Sequence, residues 1–296
     1  MLLEQLVNGI TLGSIYAIVA LGFTLVFGVL GIVNMAHGEI FMVGAYVGVI
    51  TTSVLGWPLW LALLSAIIVT AILGYLLERI TLRPLRGKKG VSHLAPLIST
   101  IGVSILLENL SHHFFGAGNK PFKTPFSELS IEIGSVTIYV VQIVIFVIAI
   151  ILMMGLSFWL LRTKAGTALR ATAENLETAS ILGVDTKKII VMTVIIASAM
   201  GGVAGILVGM AFNSVSPQMG LAIGLKGLAI IILGGMGNVK GAMVGGLILG
   251  MSETFLVAYG GTLSGYRDAI AFIMIIFILL LRPQGIFGSK TTSEGR

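Results

Sequence analysis

Long apolar runs determine what this chain can fold into. Residues 137–161 read TIYVVQIVIFVIAIILMMGLSFWLL, without a charged side chain, and comparable runs recur along the sequence. A stretch of roughly 18 or more apolar residues is long enough to cross a bilayer as a helix. The chain is 56% hydrophobic and 10% charged, whereas soluble domains carry about 25% charged residues. The sequence therefore predicts an all-α, polytopic bundle of transmembrane helices.

The pattern predicts roughly eight or nine spans, some of them broken or re-entrant. The candidate spans are 6–29, 39–55, 58–82, 94–110, 138–161, 189–212, 217–236, 239–257 and 266–281. Lys and Arg residues, which favour the cytoplasmic side, cluster at 79–89, 162–188 and 282–296. This distribution predicts a cytoplasmic C-terminus, a cytoplasmic loop at 162–188, an external loop at 111–137 and an N-terminus outside the membrane.

The polar segments are too short to form a separate soluble domain, so residues 1–296 are expected to form a single domain. Two stretches in it resemble each other. NMAHGEIFMVGAYVG at 34–48 and NVKGAMVGGLILG at 238–250 both follow a glycine-rich turn and continue as helices of small residues. Duplicated halves, which many transporters have, would explain this similarity, and so would chance among glycine-rich apolar segments.

Catalytic motifs are missing from the sequence. The chain has no cysteine, which excludes disulfides and thiol chemistry, and no GxxxxGK[ST] phosphate loop. No HExxH or GxSxG motif occurs either. We therefore expect a protein that is not an enzyme, with no metal, cofactor or nucleic acid as its own ligand.

Polar and ionisable residues within the predicted spans are candidate functional residues, because such groups are costly at membrane depth. They are Asn34, His37, Glu39, Lys226 and Glu253. Structural roles compete with functional ones for three of them. Glu39 could face the dipole of a helix N-terminus, Lys226 could extend to the lipid headgroups, and Glu253 could hydrogen-bond between helices.

A polar stretch at 169–188, LRATAENLETASILGVDTKK, interrupts the apolar runs. Residues 167–182 are good helix formers with one apolar face, which predicts a short amphipathic helix. Gly183 is suited to end this helix in the left-handed conformation, and Asp185 can cap the next one. Acidic residues mixed into the polar face disfavour contact with anionic lipid, so we expect a protein partner on the cytoplasmic side.

The same stretch resembles the cytoplasmic EAA-x-x-x-G loop of ABC-importer permeases, with Glu177, Ala179 and Gly183 at matching positions. Thr178 stands where that motif has its first alanine, and the later part of the motif is missing. The longer pattern, which runs from Arg170 through Glu174 and Asn175 to Gly183, resembles the form found in branched-chain amino acid permeases. So do the opening NGITLGSIYAIVALGFTLVFG, the segment GLKGLAIIILGGMGNVKGAMVGG and the terminal LRPQGIFG, which together resemble the LivH-type subunit.

This resemblance implies a bacterial inner-membrane permease subunit that imports leucine, isoleucine or valine. It implies a second permease of the LivM type, two ATPase subunits that hold ATP and magnesium, and a periplasmic binding protein. It also implies an ATPase-coupling role for the loop residues Arg170, Glu174, Asn175, Glu177, Ala179 and Gly183. By the same resemblance, Asn34, His37, Glu39 and Lys226 are expected to line or gate the substrate path, and we add the intramembrane Glu253 to that candidate set.

Two other functions stay open at this point. An importer of the same family could carry urea, short-chain amides or other amino acids, since selectivity rests largely with the binding protein. A secondary transporter would also be polytopic and rich in glycine, but it would need a site for a coupling ion and no ATPase-docking helix.

Overall fold

The apolar runs form helices in the computed structural model, which describes residues 2–86, 94–124, 126, 129–133 and 136–288. Within these ranges there are eleven α-helices. They are α1 (Leu2–Leu30), α2 (His37–Val49), α3 (Leu59–Leu77), α4 (Ala95–Phe115), α5 (Val140–Arg162), α6 (Lys164–Glu174), α7 (Leu176–Ile181), α8 (Thr186–Phe212), α9 (Met219–Gly234), α10 (Val239–Tyr259) and α11 (Arg267–Leu281). Single π-helical turns, Ile50–Val54 and Glu78–Leu82, extend α2 and α3, and a 3₁₀ segment, Gly261–Tyr266, precedes α11.

Each of the nine predicted spans coincides with one of these helices, which confirms the all-α, polytopic fold. Five segments of the described chain are long and apolar enough to cross a membrane: Leu2–Leu30, Leu59–Leu82, Val140–Arg162, Thr186–Phe212 and Val239–Tyr259. Helices α9 and α11 have 16 and 15 residues, fewer than the roughly 20 that a full crossing needs. Their shortness agrees with the prediction that some spans are broken or re-entrant.

Helices α1 and α8 form the centre of the bundle. In their most apolar windows 83% and 72% of the residues are buried, against 22% for α3 and 28% for α5. Helix α1 packs most extensively against α10, and α8 packs against α2 and α3. The apolar outer sides of α3, α4 and α5 are exposed, as expected for helices that face lipid.

Glycine allows the central helices to approach closely. A Cβ atom on Gly246 of α10 would lie 2.4 Å from the backbone nitrogen of Ala17 in α1. One on Gly205 of α8 would lie 2.0 Å from the carbonyl oxygen of Phe41 in α2. In lipid, the hydrophobic effect does not drive helices to associate. Small residues at helix contacts favour association instead, because they permit closer van der Waals packing.

The helix pairing has a regular pattern: α1 contacts α8, α9 and α10, while α8 contacts α1, α2 and α3, and α2 contacts α9. The stretches 34–48 and 238–250, compared above, fall mainly on α2 and α10. The contacts of α1 with α10 and α9 correspond to the contacts of α8 with α3 and α2. By its contacts α2 therefore corresponds to α9, whereas the two similar sequence stretches pair α2 with α10. Duplicated halves therefore stay a prediction, with helices α1–α3 and α8–α10 as the segments to compare.

Short strands lie at one end of the bundle, between α4 and α5. Strand β2 (Ser130–Ile133) pairs antiparallel with β3 (Val136–Tyr139), which precedes α5 directly. Strand β1 (Lys120–Pro121) pairs with β4 (Ser214–Val215), which connects this loop to the end of α8. At the opposite end, Ile286 and Phe287 donate backbone hydrogen bonds to the last carbonyls of α9. The basic residues at 88, 89, 290 and 296 lie outside the described residues.

Replacing a buried glycine should destabilise the fold, whereas replacing an exposed glycine should be tolerated. We expect Gly205→Ala to lower the free energy of unfolding by about 1–3 kcal/mol, because the added methyl meets the backbone of α2. Gly155→Ala in α5 is the matched control, since a Cβ there meets no atom of the described chain within 4 Å. Thermal unfolding of the purified variants in detergent measures the difference, and equal midpoints would contradict the packing described.

Candidate functional site

The polar stretch between α5 and α8 forms two short helices, α6 and α7, that meet at Asn175. The backbone of Asn175 is extended (φ −154°, ψ 110°), and its Oδ1 accepts a hydrogen bond of 2.8 Å from the Thr178 N–H. The prediction of one continuous helix over 167–182 is therefore wrong. Asparagine often hydrogen-bonds to nearby backbone, which favours a helix cap over a helix interior.

The end of this helix pair agrees with the sequence-based prediction. Gly183 has a φ of +86°, a left-handed conformation that glycine adopts at little steric cost. Two residues later, the side chain of Asp185 accepts a hydrogen bond of 3.0 Å from the Lys188 N–H and caps α8. Both ends of the turn into the next span are thus fixed by short-range interactions.

The candidate coupling residues divide into an anchored set and an exposed set. Arg170 donates hydrogen bonds to the Leu160 carbonyl of α5 and to Thr167 Oγ1, and Ala179 is buried. The other four are exposed: Glu174, Asn175, Glu177 and Gly183. The sequence did not separate these two sets, because anchoring depends on where α6 meets the end of α5.

Two exposed apolar side chains lie at the tip of the helix pair. Ile181 is 80% exposed and Leu182 is 77% exposed, and they stand beside the exposed carboxylate of Glu177. Apolar side chains grouped with charged ones outside the spans are typical of a protein-binding surface. Sequence reasoning assigned these residues to an apolar helix face and did not identify them as a tip.

A cavity of about 810 Å³ lies at this end of the bundle, beside the contacts that α6 makes with α1, α5 and α8. Its walls include Thr24 and Gly28 of α1, Leu160 of α5, Arg170 and Glu174 of α6, and Lys240 of α10. The cavity is open to the surface at this end of the bundle.

A buried ionic cluster joins four helices. Lys226 Nζ of α9 lies 2.8 and 3.0 Å from the two carboxylate oxygens of Glu253 in α10, and 2.8 Å from Asp268 Oδ1 in α11. Tyr16 of α1 donates a hydrogen bond of 2.8 Å to Glu253 and accepts one of 2.9 Å from Lys226. Lys226 therefore does not extend to the headgroups, and Glu253 does bond between helices.

Tyr16 and Asp268 were not predicted from the sequence. Tyr16 lies in an apolar run, where an aromatic residue usually packs against other apolar side chains. Asp268 stands at the end of a turn, where a carboxylate is usually solvated. Only the folded arrangement brings both to Lys226.

A second polar group lies where α2, α4 and α9 meet. Glu39 is 1% exposed, and its Oε1 accepts a hydrogen bond of 3.1 Å from Ser104 in α4. Its other oxygen, Oε2, has no hydrogen-bond partner among the described residues and faces Gly220 of α9. Glu39 belongs to the first turn of α2, as the helix-dipole interpretation requires. Ser104 is a further residue that the sequence did not indicate.

Asn34 and His37 flank this group. The Asn34 side chain accepts a hydrogen bond of 3.1 Å from the Ala36 N–H just before α2 begins. The fully buried His37 ring lies between Phe23 and Phe41, at centroid distances of 4.8 and 4.9 Å. Helix α9 contacts both polar groups, through Gly220 at Glu39 and through Lys226 in the ionic cluster.

Long apolar helices, charges paired inside the bundle and a polar helix pair at one end define a multi-pass membrane protein of the transporter class. Residues 5–279 match the family model of branched-chain amino acid transport system permease components. The chain belongs to this family.

Named relatives are similar in sequence to almost the whole of this chain. A branched-chain amino acid transport system permease protein, BraD of Pseudomonas aeruginosa, is 40% identical over 97% of this chain and 95% of its own length. LivH of Escherichia coli K12, with the same description, is 38% identical over the same shares. LivM of the same organism, also named a permease of such a system, is 28% identical over 93% of this chain and 68% of its own length.

Removing one member of the buried ion pair should cost more than removing both. Lys226→Met leaves the Glu253 carboxylate buried without its cation, so the free energy of unfolding should fall by about 3–5 kcal/mol. Lys226→Met combined with Glu253→Met should recover most of that loss, because no unpaired charge is left in the pair. Chemical unfolding of both purified variants tests this, and equal destabilisation of the single and double variants would refute a paired role.

Proposed function

We propose that this chain is the LivH-type permease subunit of an ATP-driven importer that carries leucine, isoleucine and valine across the bacterial inner membrane. Family membership and the similarity to LivH and BraD support the substrate class. One structural observation carries the ATP-driven part of the proposal. The capped helix pair α6–α7 presents exposed Ile181, Leu182 and Glu177 outside the spans. Such a surface is suited to dock in a cleft of an ATPase subunit.

We orient the molecule with α6–α7 in the cytoplasm. The basic residues around 162–188 support this, because Lys and Arg are enriched in cytoplasmic loops. If each of the nine segments connects one side of the membrane to the other, the C-terminus is cytoplasmic and the N-terminus is periplasmic. The pairing of β1 with β4 at one end, and of residues 286–287 with α9 at the other, agrees with this order of crossings.

The proposed complex contains a second permease, two ATPases and a periplasmic binding protein. The similarity of this chain to LivM supports a pair of related permeases, because homologous subunits can meet across a pseudo-symmetric interface. ATP and magnesium belong to the ATPases, and this chain needs no cofactor of its own. The binding protein would deliver its ligand at the end formed by the β2–β3 hairpin.

Transmission of force follows from the anchors of the helix pair. Arg170 ties α6 to the end of α5, while Gly183 and Asp185 fix the turn into α8. Closure of the ATPases would therefore move α5 and α8 together with the docked helices. Since α8 is central and contacts α1, α2 and α3, its displacement would reach the bundle core.

The substrate path would be lined or gated by the buried polar residues. They are Asn34, His37, Glu39, Lys226 and Glu253. The Oε2 atom of Glu39, which lacks a hydrogen-bond partner among the described residues, supports this role, because a transported ammonium group could bond there. Helix α9 contacts both polar groups, so tilting it would change both at once.

Two variants test the coupling role of α6–α7. Glu177→Lys reverses a charge on the exposed docking surface, and Gly183→Pro forces the residue out of its left-handed conformation. Both should abolish uptake and uncouple ATP hydrolysis while leaving membrane insertion intact. Arg83→Glu, at an exposed position of a different turn, away from both α6–α7 and the hairpin, is the charge-reversal control. Transport at the normal rate in either coupling variant would refute the assignment.

Copurification tests the complex and its substrate. The tagged chain should recover two ATPase subunits, and the loaded binding protein should stimulate ATP hydrolysis with leucine or valine but not with urea. Stimulation by urea or amides would instead favour the related importer. Uptake that collapses with the proton or sodium gradient while ATP is intact would favour a secondary transporter.

A further inference from the structure

The ionic cluster at Lys226 has one closed side and one open side. The side chains of Lys226 and Glu253 are 8% and 2% exposed, whereas that of Asp268 is 65% exposed. The pair between Lys226 and Glu253 is therefore sealed within the bundle. The pair between Lys226 and Asp268 reaches the surface of the subunit, where another charged group could approach it.

Lys226 and Glu253 lie within their helices, whereas Asp268 lies at the start of α11. Glu253 precedes the end of α10 by six residues and Lys226 follows the start of α9 by seven, which places both about 10 Å from those helix ends. Asp268 is the second residue of α11, and the Lys226 side chain reaches it from α9. A carboxylate as exposed as that of Asp268 is too costly to face lipid tails, so we expect this end of α11 to face water or a partner subunit.

We propose that a zwitterionic amino acid binds by inserting between Lys226 and Asp268. The carboxylate of the amino acid would replace Asp268 as the partner of the Lys226 ammonium. The ammonium of the amino acid would then pair with the Asp268 carboxylate. The exchange breaks one ion pair and forms two, so Lys226 and both charged groups of the substrate have an opposite charge beside them. The Lys226–Glu253 pair stays in place throughout. This inference rests on the proposed importer function and adds a substrate-selective step inside the permease.

The surroundings of the pair suit an apolar amino acid. Phe272 lies one turn after Asp268 on α11 and is 42% exposed, and Ala222, also exposed, lies one turn before Lys226 on α9. A branched aliphatic side chain could rest on these residues while the charged groups pair. A neutral amide or urea carries neither charge and could not replace the broken ion pair. The site therefore selects amino acids over amides by charge.

The experiment uses the complete transporter, with both permeases, the ATPases and the loaded binding protein, in proteoliposomes. Asp268→Asn keeps the size of the side chain and the Lys226–Glu253 pair but removes the exchangeable carboxylate. We expect leucine uptake to fall roughly tenfold or more, the loss typical of one charge-assisted hydrogen bond, while the free energy of unfolding falls by at most about 1 kcal/mol, because the lost ion pair reaches the surface. Asp268→Glu is the conservative control and should retain most uptake.

Binding is measured separately by cysteine labelling. The chain has no cysteine, so Ala269→Cys places one reactive thiol beside the intact Asp268. Modification by a membrane-impermeant thiol reagent, read on this chain by mass spectrometry, should be slowed by millimolar leucine. Millimolar 4-methylpentanamide, 4-methylpentanoate or 3-methylbutylamine should not slow it, because each lacks at least one of the two charges.

Several results would overturn the inference. They are uptake by Asp268→Asn at the wild-type rate, protection by the amide equal to that by leucine, or a parallel loss of uptake, ATP hydrolysis and stability. The last result would mean that Asp268 only holds α11 against α9. Failure of the proposed function is distinguishable, since the wild-type complex itself would then neither transport leucine nor hydrolyse ATP in response to the loaded binding protein.

Discussion

Backbone-to-backbone contact at glycine holds the centre of this protein together, and the other features depend on it. Gly246 allows α10 to approach α1, and Gly205 allows α8 to approach α2. In lipid this packing must supply much of what the hydrophobic effect supplies in water. The close approach also brings Tyr16, Lys226 and Glu253 within hydrogen-bond distance. A wider spacing would leave those charges unpaired at membrane depth, which is far more costly.

Movement can pass from the polar helix pair to the buried charges through packed elements. Arg170 joins α6 to α5, and Asp185 caps α8, which reaches the core. Helix α9 is short and contacts both polar groups, so a movement that reaches the core through α8 would change both groups at once.

The apolar runs were sufficient to predict the helices, because the bilayer requires long uncharged segments. The caps at Gly183 and Asp185 could also be predicted, since they depend on interactions between near neighbours. The break at Asn175 could not be predicted. An asparagine that caps a helix and an asparagine on the polar face of a continuous helix give the same amphipathic sequence pattern. The partners of Lys226 depend on which helices pack together, and hydropathy carries no information on that. Asp268 in particular follows a turn, where nothing in the local sequence marks it as a partner of Lys226.

The central claim is that α6–α7 docks on an ATPase, and site-specific cross-linking tests it most directly. Because the chain has no cysteine, Ile181→Cys introduces a single attachment point for a short photoactivatable reagent at the exposed tip. In the assembled transporter this position should cross-link to an ATPase subunit, whereas Phe114→Cys at the opposite end should not. A cross-link from Ile181→Cys only to lipid, or equal cross-linking from both positions, would contradict the account.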